Sequence, residues 1–157
     1  MGRYDDFELQ GSERDQAIAA ACDQIGRWGL KMPPVTPLPL HFGLKRFRET
    51  GEIEFWIANE KDLGYCGKFL FVFDGQTCPT HHHAIKHETF FVVKGSIRMN
   101  VNGGERLMAE GDLLAMPPGA VHSFTGVGPA LILEVSMPSI LGDNFFADQS
   151  IGEHGVI

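Results

Sequence analysis

The sequence predicts an all-β single domain with one N-terminal helix, and three observations point to it. Hydrophobic periodicity switches from helical to two-residue spacing after residue 40. From there, short β-branched and aromatic runs recur at brief, regular intervals. Glycine, proline and asparagine turn signals separate most of them, the pattern of a sandwich or closed barrel rather than of alternating helices and strands. The 157 residues are enough to bury one hydrophobic core.

In chain order, the first eleven residues read as a loose arm. Ser12 offers an N-cap with Asp15 three residues on. Ile18, Ala21, Cys22, Ile25 and Trp28 then recur at helical spacing, which predicts an amphipathic helix at about 13–28, stopped by Gly29. Pro33, Pro34, Pro37 and Pro39 force residues 31–40 into extended chain that wraps a sheet or a neighbouring subunit. Residues 1–39 are thus expected to pack as arm, helix and proline-rich segment on a barrel formed by 40–157 with its C-terminal tail.

Phe42, Leu44 and Arg46 alternate with their neighbours and predict a first strand; Ile53, Phe55 and Ile57 alternate with Glu52, Glu54 and Trp56 and predict a second, with Thr50-Gly51 as the turn. Further strands are expected at 68–73, 80–83, 88–94, 96–102, 105–108, 112–116, 121–125 and 130–136. Asn102-Gly103 is a strong hairpin signal between two of them. The tail after Pro138 reads as irregular structure packed by Phe145 and Phe146.

Composition excludes several function classes. A net charge of −7 argues against nucleic acid, whose phosphates require a basic surface. No apolar run approaches the length of a membrane span, and the acidic N-terminus is the opposite of a signal peptide. Three cysteines without a CxxC spacing suit a reducing cytoplasm better than a disulfide framework. Cys78 reads as a small buried strand residue.

Five of the seven histidines fall between residues 81 and 122, and Glu88 stands among them. Alternate strand residues share a face, so His81 and His83 point the same way and His82 points away. Glu88 can open the returning strand, and His122 must arrive from a separate one. Three imidazoles and a carboxylate suit a first-row transition metal rather than calcium or magnesium. Four protein ligands leave an octahedral ion two open positions for substrate oxygens. His82 and His87 read as solvated or supporting residues; His41 and His154 are isolated.

Two motifs then carry a resemblance. Gly75-x5-His81-x-His83-x4-Glu88-x6-Gly95 and Gly111-x5-Pro117-x-Gly119-x2-His122 resemble the paired motifs of the cupin superfamily, except that the usual terminal Asn of the second is Gly126. The resemblance implies a jelly-roll β-barrel with the metal inside its mouth, but cupins span many chemistries. Tyr65-Cys66-x-Lys68, Asp74-Gly75-Gln76-Thr77-Cys78-Pro79, His87-Glu88-Thr89-Phe90, Pro117-Pro118 and Glu134-x-Ser136 are similar to the D-lyxose isomerase family of cupins. That likeness, over roughly residues 25–150, implies an Mn²⁺-dependent aldose–ketose isomerase, usually dimeric, acting on D-lyxose or a relative such as D-mannose; Fe, Zn, Co and Ni are the alternative metals.

The residues suit that reaction. Glu134 interrupts the apolar run 130–135, where a carboxylate is costly unless paired or functional, and burial raises a carboxyl towards the range of a useful base. Lys68 opens the apolar run Phe69–Phe73. Both match the family's acid/base positions: Glu134 as the proton-transferring base and Lys68 as acid or oxyanion stabiliser, with exchange of roles open. Competing expectations are an Fe or Cu oxygenase on the same ligand set, and a sugar-binding cupin without catalysis.

Overall fold

The computed structural model describes residues 6–157. Residues 1–5 of the expected arm lie outside the described residues. The remainder of the arm is anchored: Glu8 bridges Leu40, Leu9 donates its N–H to the Pro39 carbonyl, and the Leu9 side chain is buried.

Helix α1 runs Gly11–Arg27. It starts before the expected Ser12 cap: the N-cap is Gln10, whose side chain caps nothing, because the extended pairing at Glu8 and Leu9 delivers the chain into the helix. The predicted stop holds. Gly29 has φ 74°, its N–H reaches the Gly26 carbonyl, and the Leu30 N–H reaches Ile25, the paired bonds of a Schellman motif.

The strands are β1 (Leu38–Leu40), β2 (Glu52–Glu60), β3 (Tyr65–Val72), β4 (Thr77–His82), β5 (Glu88–Val101), β6 (Gly104–Ala109), β7 (Leu113–Met116), β8 (His122–Ser136) and β9 (Phe145–Phe146). Strands β5 and β8 are long and paired, and they curl across both faces of the barrel. Their outer halves build one sheet, in which β8 residues 130–136 pair β3 and β5 residues 88–91 pair β7, with β2 and β1 beyond β3. Their other halves build the second, in which β8 pairs β4 and β5 pairs β6, with β9 on β4. This is a jelly roll.

The predicted strands at 88–94 and 96–102 are therefore one element bent at Gly95, and those at 121–125 and 130–136 are another. Gly95 has φ 77°, and a Cβ there would lie 2.2 Å from the Pro129 carbonyl oxygen, so the corner admits only glycine. Asn102 and Gly103, at φ 50° and 83°, make the expected β5–β6 hairpin.

The expected strand at 42–47 does not form. Phe42 and Lys45 take positive φ, and His41 accepts N–H groups from Gly43 at Nδ1 and from Leu44 at its carbonyl. Phe42 and Phe47 anchor this turn in two different cores, which imitates strand alternation. Thr50-Gly51 is not a hairpin turn either, since Thr50 bridges Thr77 and Gly51 donates to the Thr77 carbonyl.

Gly126 answers its own departure from the motif. A Cβ there would lie 2.3 Å from the Phe73 carbonyl oxygen, in a crossing where Gly126 exchanges backbone bonds with Gly75 and Gln76. Gly126→Asn is expected to cost at least ~1–3 kcal/mol, read as a lower urea midpoint.

Two cores result. One fills the barrel, with Leu70, Val92, Ile97, Met99, Phe124 and Ile132 among its residues. The other lies outside the sheet under α1, where Ala17, Ala21 and Ile25 cover Ile53, Phe55 and Phe71. Strand β2 thus sends Ile53 and Phe55 outward beneath the helix and Glu52, Glu54 and Trp56 towards the barrel interior.

Candidate metal centre

His81 lies on β4, His83 just beyond its end, Glu88 opens β5 and His122 opens β8. One potential ligand atom from each lies within 4.8 Å of the others. His81 and His122 are register partners, which places them side by side. His82, as alternation requires, points away and stacks on Phe145 at 5.1 Å. His87 is exposed.

Each imidazole is fixed by its other nitrogen. Nδ1 of His81, His83 and His122 lies 2.8, 2.8 and 2.9 Å from the carbonyl oxygens of Pro79, Asp143 and Ala120. A carbonyl only accepts, so each Nδ1–H donates and each Nε2 lone pair faces the cluster. Nε2 of His83 and His122 and Oε1 of Glu88 are buried without a hydrogen-bond partner among the described residues. His122 Nε2 and Glu88 Oε1 sit 2.8 Å apart, two electron-rich atoms arranged to share a cation. Orphaned buried acceptors of this kind are costly in an empty site and satisfied by an ion. The donor set therefore fits a divalent transition metal. Desolvation and the neighbouring His122 and His83 push His81 well below the ordinary imidazole range, keeping it a neutral ligand. Burial opposes the Glu88 charge, but His122, His83 and Lys86 outweigh it and hold its carboxyl well below the usual range.

A ladder of buried charges leads away from this cluster. Lys86 Nζ lies 2.8 Å from Glu88 Oε2 and 2.9 Å from Glu134 Oε1. Lys68 Nζ lies 3.6 Å from Glu134 Oε2 and 2.5 Å from Glu54 Oε1. Ser136 Oγ donates to Glu134, and Trp56 Nε1 to Glu54. Lys68 and Glu134 are direct register partners on β3 and β8. Lys68 lies mid-strand on β3 and is buried. Burial works against both lysine charges, yet Glu134 and its fellow carboxylates raise Lys68 well above the ordinary value and raise Lys86 as well.

Four residues of this site escaped the sequence reading: Lys86, Glu52, Glu54 and Asp143. Lys86 sits in the β4–β5 turn, where no periodicity assigns a direction. Buried Asp143 arrives from the tail and ties that turn down, accepting N–H groups from Ala84, Ile85 and Lys86 at 2.9–3.0 Å. Asp143→Ala is expected to cost about 1–3 kcal/mol and to weaken metal binding about 10–100-fold, read by thermal unfolding and calorimetric metal titration.

Glu52 is buried, and desolvation with the nearby Glu54 charge pushes its carboxyl up to about 8, from an ordinary value of 4.5. Between those values the folded chain keeps a proton that the unfolded chain releases. Its contribution to stability is full below about pH 4.5 and is lost as pH rises towards 8. Glu52→Gln is expected to flatten that part of the stability–pH curve, measured by urea unfolding at several pH values.

His81, His83 and Glu88 of the cluster, together with the ladder, line one cavity. Leu40, Phe42, Leu70, Phe124 and Phe146 supply its apolar wall, and buried Cys78 lines it as well. No helix among the described residues is long and apolar enough to cross a membrane.

Residues 69–136, which include both histidine motifs, match the family model described as cupin domain. By sequence, no curated protein shows a significant match. The L-ribose isomerase of Cellulomonas parahominis, solved with L-ribose, is 17% identical and covers 96% of this chain and 97% of its own, at TM-score 0.76. The L-ribose isomerase of Geodermatophilus obscurus is 19% identical over 65% of this chain and 71% of its own, at 0.60. KdgF from Halomonas sp. is 18% identical over 57% and 80%, at 0.53. At these identities the likeness is one of fold. Strand topology, motif positions and the domain match agree: the fold is a cupin jelly roll enclosing a His–His–Glu–His cluster.

Proposed function

We propose that this protein is a divalent-metal-dependent aldose–ketose isomerase, with Glu134 as the proton-transferring base. The observation that carries the reading is the ladder Glu88–Lys86–Glu134–Lys68–Glu54, which joins the metal cluster to a buried carboxylate inside one cavity. The end-to-end fold likeness to L-ribose isomerases supports it.

When bound by His81, His83, Glu88 and His122, the metal supplies Lewis-acid stabilisation of charge developing on the sugar oxygens. Glu134 takes the C2 proton of the open-chain aldose; the C2–H electrons form the C1–C2 double bond and the C1=O π electrons move to O1. The O2–H proton then passes to O1 as the C2=O bond forms, and Glu134, whose proton exchanges with solvent, delivers a proton to C1 to give the ketose. Lys86, between Glu88 and Glu134, donates hydrogen bonds to the oxygen that gains charge. Lys68 and Ser136 hold the Glu134 carboxylate in place, and Lys68 also serves as oxyanion stabiliser. The apolar wall keeps water from the reacting carbons.

In this reading Mn²⁺ is the metal, with Fe, Zn, Co and Ni as alternatives. The substrate is D-lyxose, D-mannose or a stereochemical relative such as L-ribose, and the protein is a cytoplasmic homodimer. The test is metal-reconstituted protein assayed for ketose with each aldose beside an oxygen electrode. Ketose formation with no oxygen uptake supports the isomerase; oxygen uptake without ketose replaces it with the oxygenase.

A further inference from the structure

Glu52 belongs to the cavity but not to the chemistry above. It lines the cavity from β2, is 4% exposed, and its Oε2 has no hydrogen-bond partner among the described residues. The Cys78 thiol, on β4, is a hydrogen-bonding neighbour of its carboxyl. Glu52 lies two residues from Glu54 on β2, and Glu54 ends the ladder that starts at Glu88, so Glu52 marks a second polar pole of the cavity outside the metal cluster. Leu40, Phe42, Leu70 and Phe124 among the cavity residues offer no hydrogen bond. A buried carboxyl atom with no partner is costly to keep unless something else satisfies it.

The charged groups facing Glu52 are Glu54 on its own strand, Lys68 on β3 and Glu134 on β8. Lys68 is already engaged by Glu54 and Glu134, so no ammonium is left to neutralise Glu52. Desolvation and the Glu54 charge raise its proton affinity, in agreement with this; the protonated carboxyl can offer an O–H as well as accept.

We propose that Glu52 is a specificity-determining residue whose Oε2 hydrogen-bonds the terminal hydroxyl of an open-chain sugar, the end remote from the carbons at the metal. The choice of an aldose as ligand rests on the isomerase reading; the Glu52 subsite rests on its own geometry. Glu52 and the metal-cluster residues His81, His83 and Glu88 line the same cavity, and a ligand without that hydroxyl leaves the carboxyl unpaired. A site built to hydrogen-bond a hydroxyl discriminates strongly against an analogue that lacks it.

The test measures binding apart from turnover. Metal-loaded Glu134→Gln protein is titrated calorimetrically with D-lyxose and with 5-deoxy-D-lyxose, with and without Glu52→Leu. The expected result is about 10–100-fold weaker binding of the deoxy sugar when Glu52 is present, and less than about twofold difference when it is Leu. Equal affinities with Glu52 present, no sugar binding at all, or unchanged discrimination in Glu52→Leu each overturn the proposal. If the leucine variant does not fold, infrared difference spectra replace it. The carboxylic C=O band that disappears in Glu52→Gln shifts on adding D-lyxose and stays in place with the deoxy sugar; a band that D-lyxose does not move overturns the assignment. Discrimination at Glu52 alongside no ketose from the parent protein would reject the isomerase reading and keep the subsite.

Discussion

Glu134→Gln is expected to lower kcat by about 10²–10⁴-fold, the worth of a positioned acid/base group, while metal content stays at one ion per chain. Glutamine keeps the shape of the side chain and still accepts from Lys86 and Ser136, which lie 2.9 and 3.0 Å from Oε1. It cannot take a proton from carbon. KM is expected to change little, because the lost interaction belongs to the transition state. Metal analysis together with steady-state kinetics checks both halves. Retention of most of the activity would leave Glu134 as a structural partner of Lys68 and Lys86.

His122→Ala is expected to abolish metal binding at micromolar ion and, with it, turnover. It removes one of four converging donors and leaves Glu88 Oε1 without the nitrogen now 2.8 Å away. The fold is expected to survive, since His122 opens β8 while the barrel core lies further along that strand, at Phe124, Ala130 and Ile132. Calorimetric metal titration with a circular dichroism control separates these effects. Undiminished metal binding by a folded His122→Ala protein would remove His122 from the ligand set.

What the sequence made legible follows from where periodicity holds. His81 and His83 lie two residues apart at a strand end, and Glu88 and His122 each begin a strand bordered by turn signals, so spacing alone brought the four together. Lys68 and Glu134 were legible as charges in apolar runs, and the structure makes them register partners. Lys86 was not, because a turn gives its side chain no assigned face. Glu52 and Glu54 were hidden for another reason. Alternation with Ile53 and Phe55 reads as acid outside and apolar inside, but α1 covers the outer face of the sheet and inverts that assignment. The false strand at 42–47 has a related cause: two cores on opposite sides of a turn can mimic the alternation of a pleat. The join of two predicted strands at Gly95 depended on contact with Pro129 and Ala130, distant in sequence.

The central claim is proton transfer between C1 and C2 of an aldose. The most direct measurement is mass spectrometry of D-lyxose, D-mannose and L-ribose after incubation in D₂O with the Mn²⁺-loaded protein. The expected result is ketose from at least one of them, carrying one added deuterium at C1, with Glu134→Gln protein giving neither conversion nor label. Unchanged, unlabelled sugars from protein that holds one metal ion per chain would contradict the account.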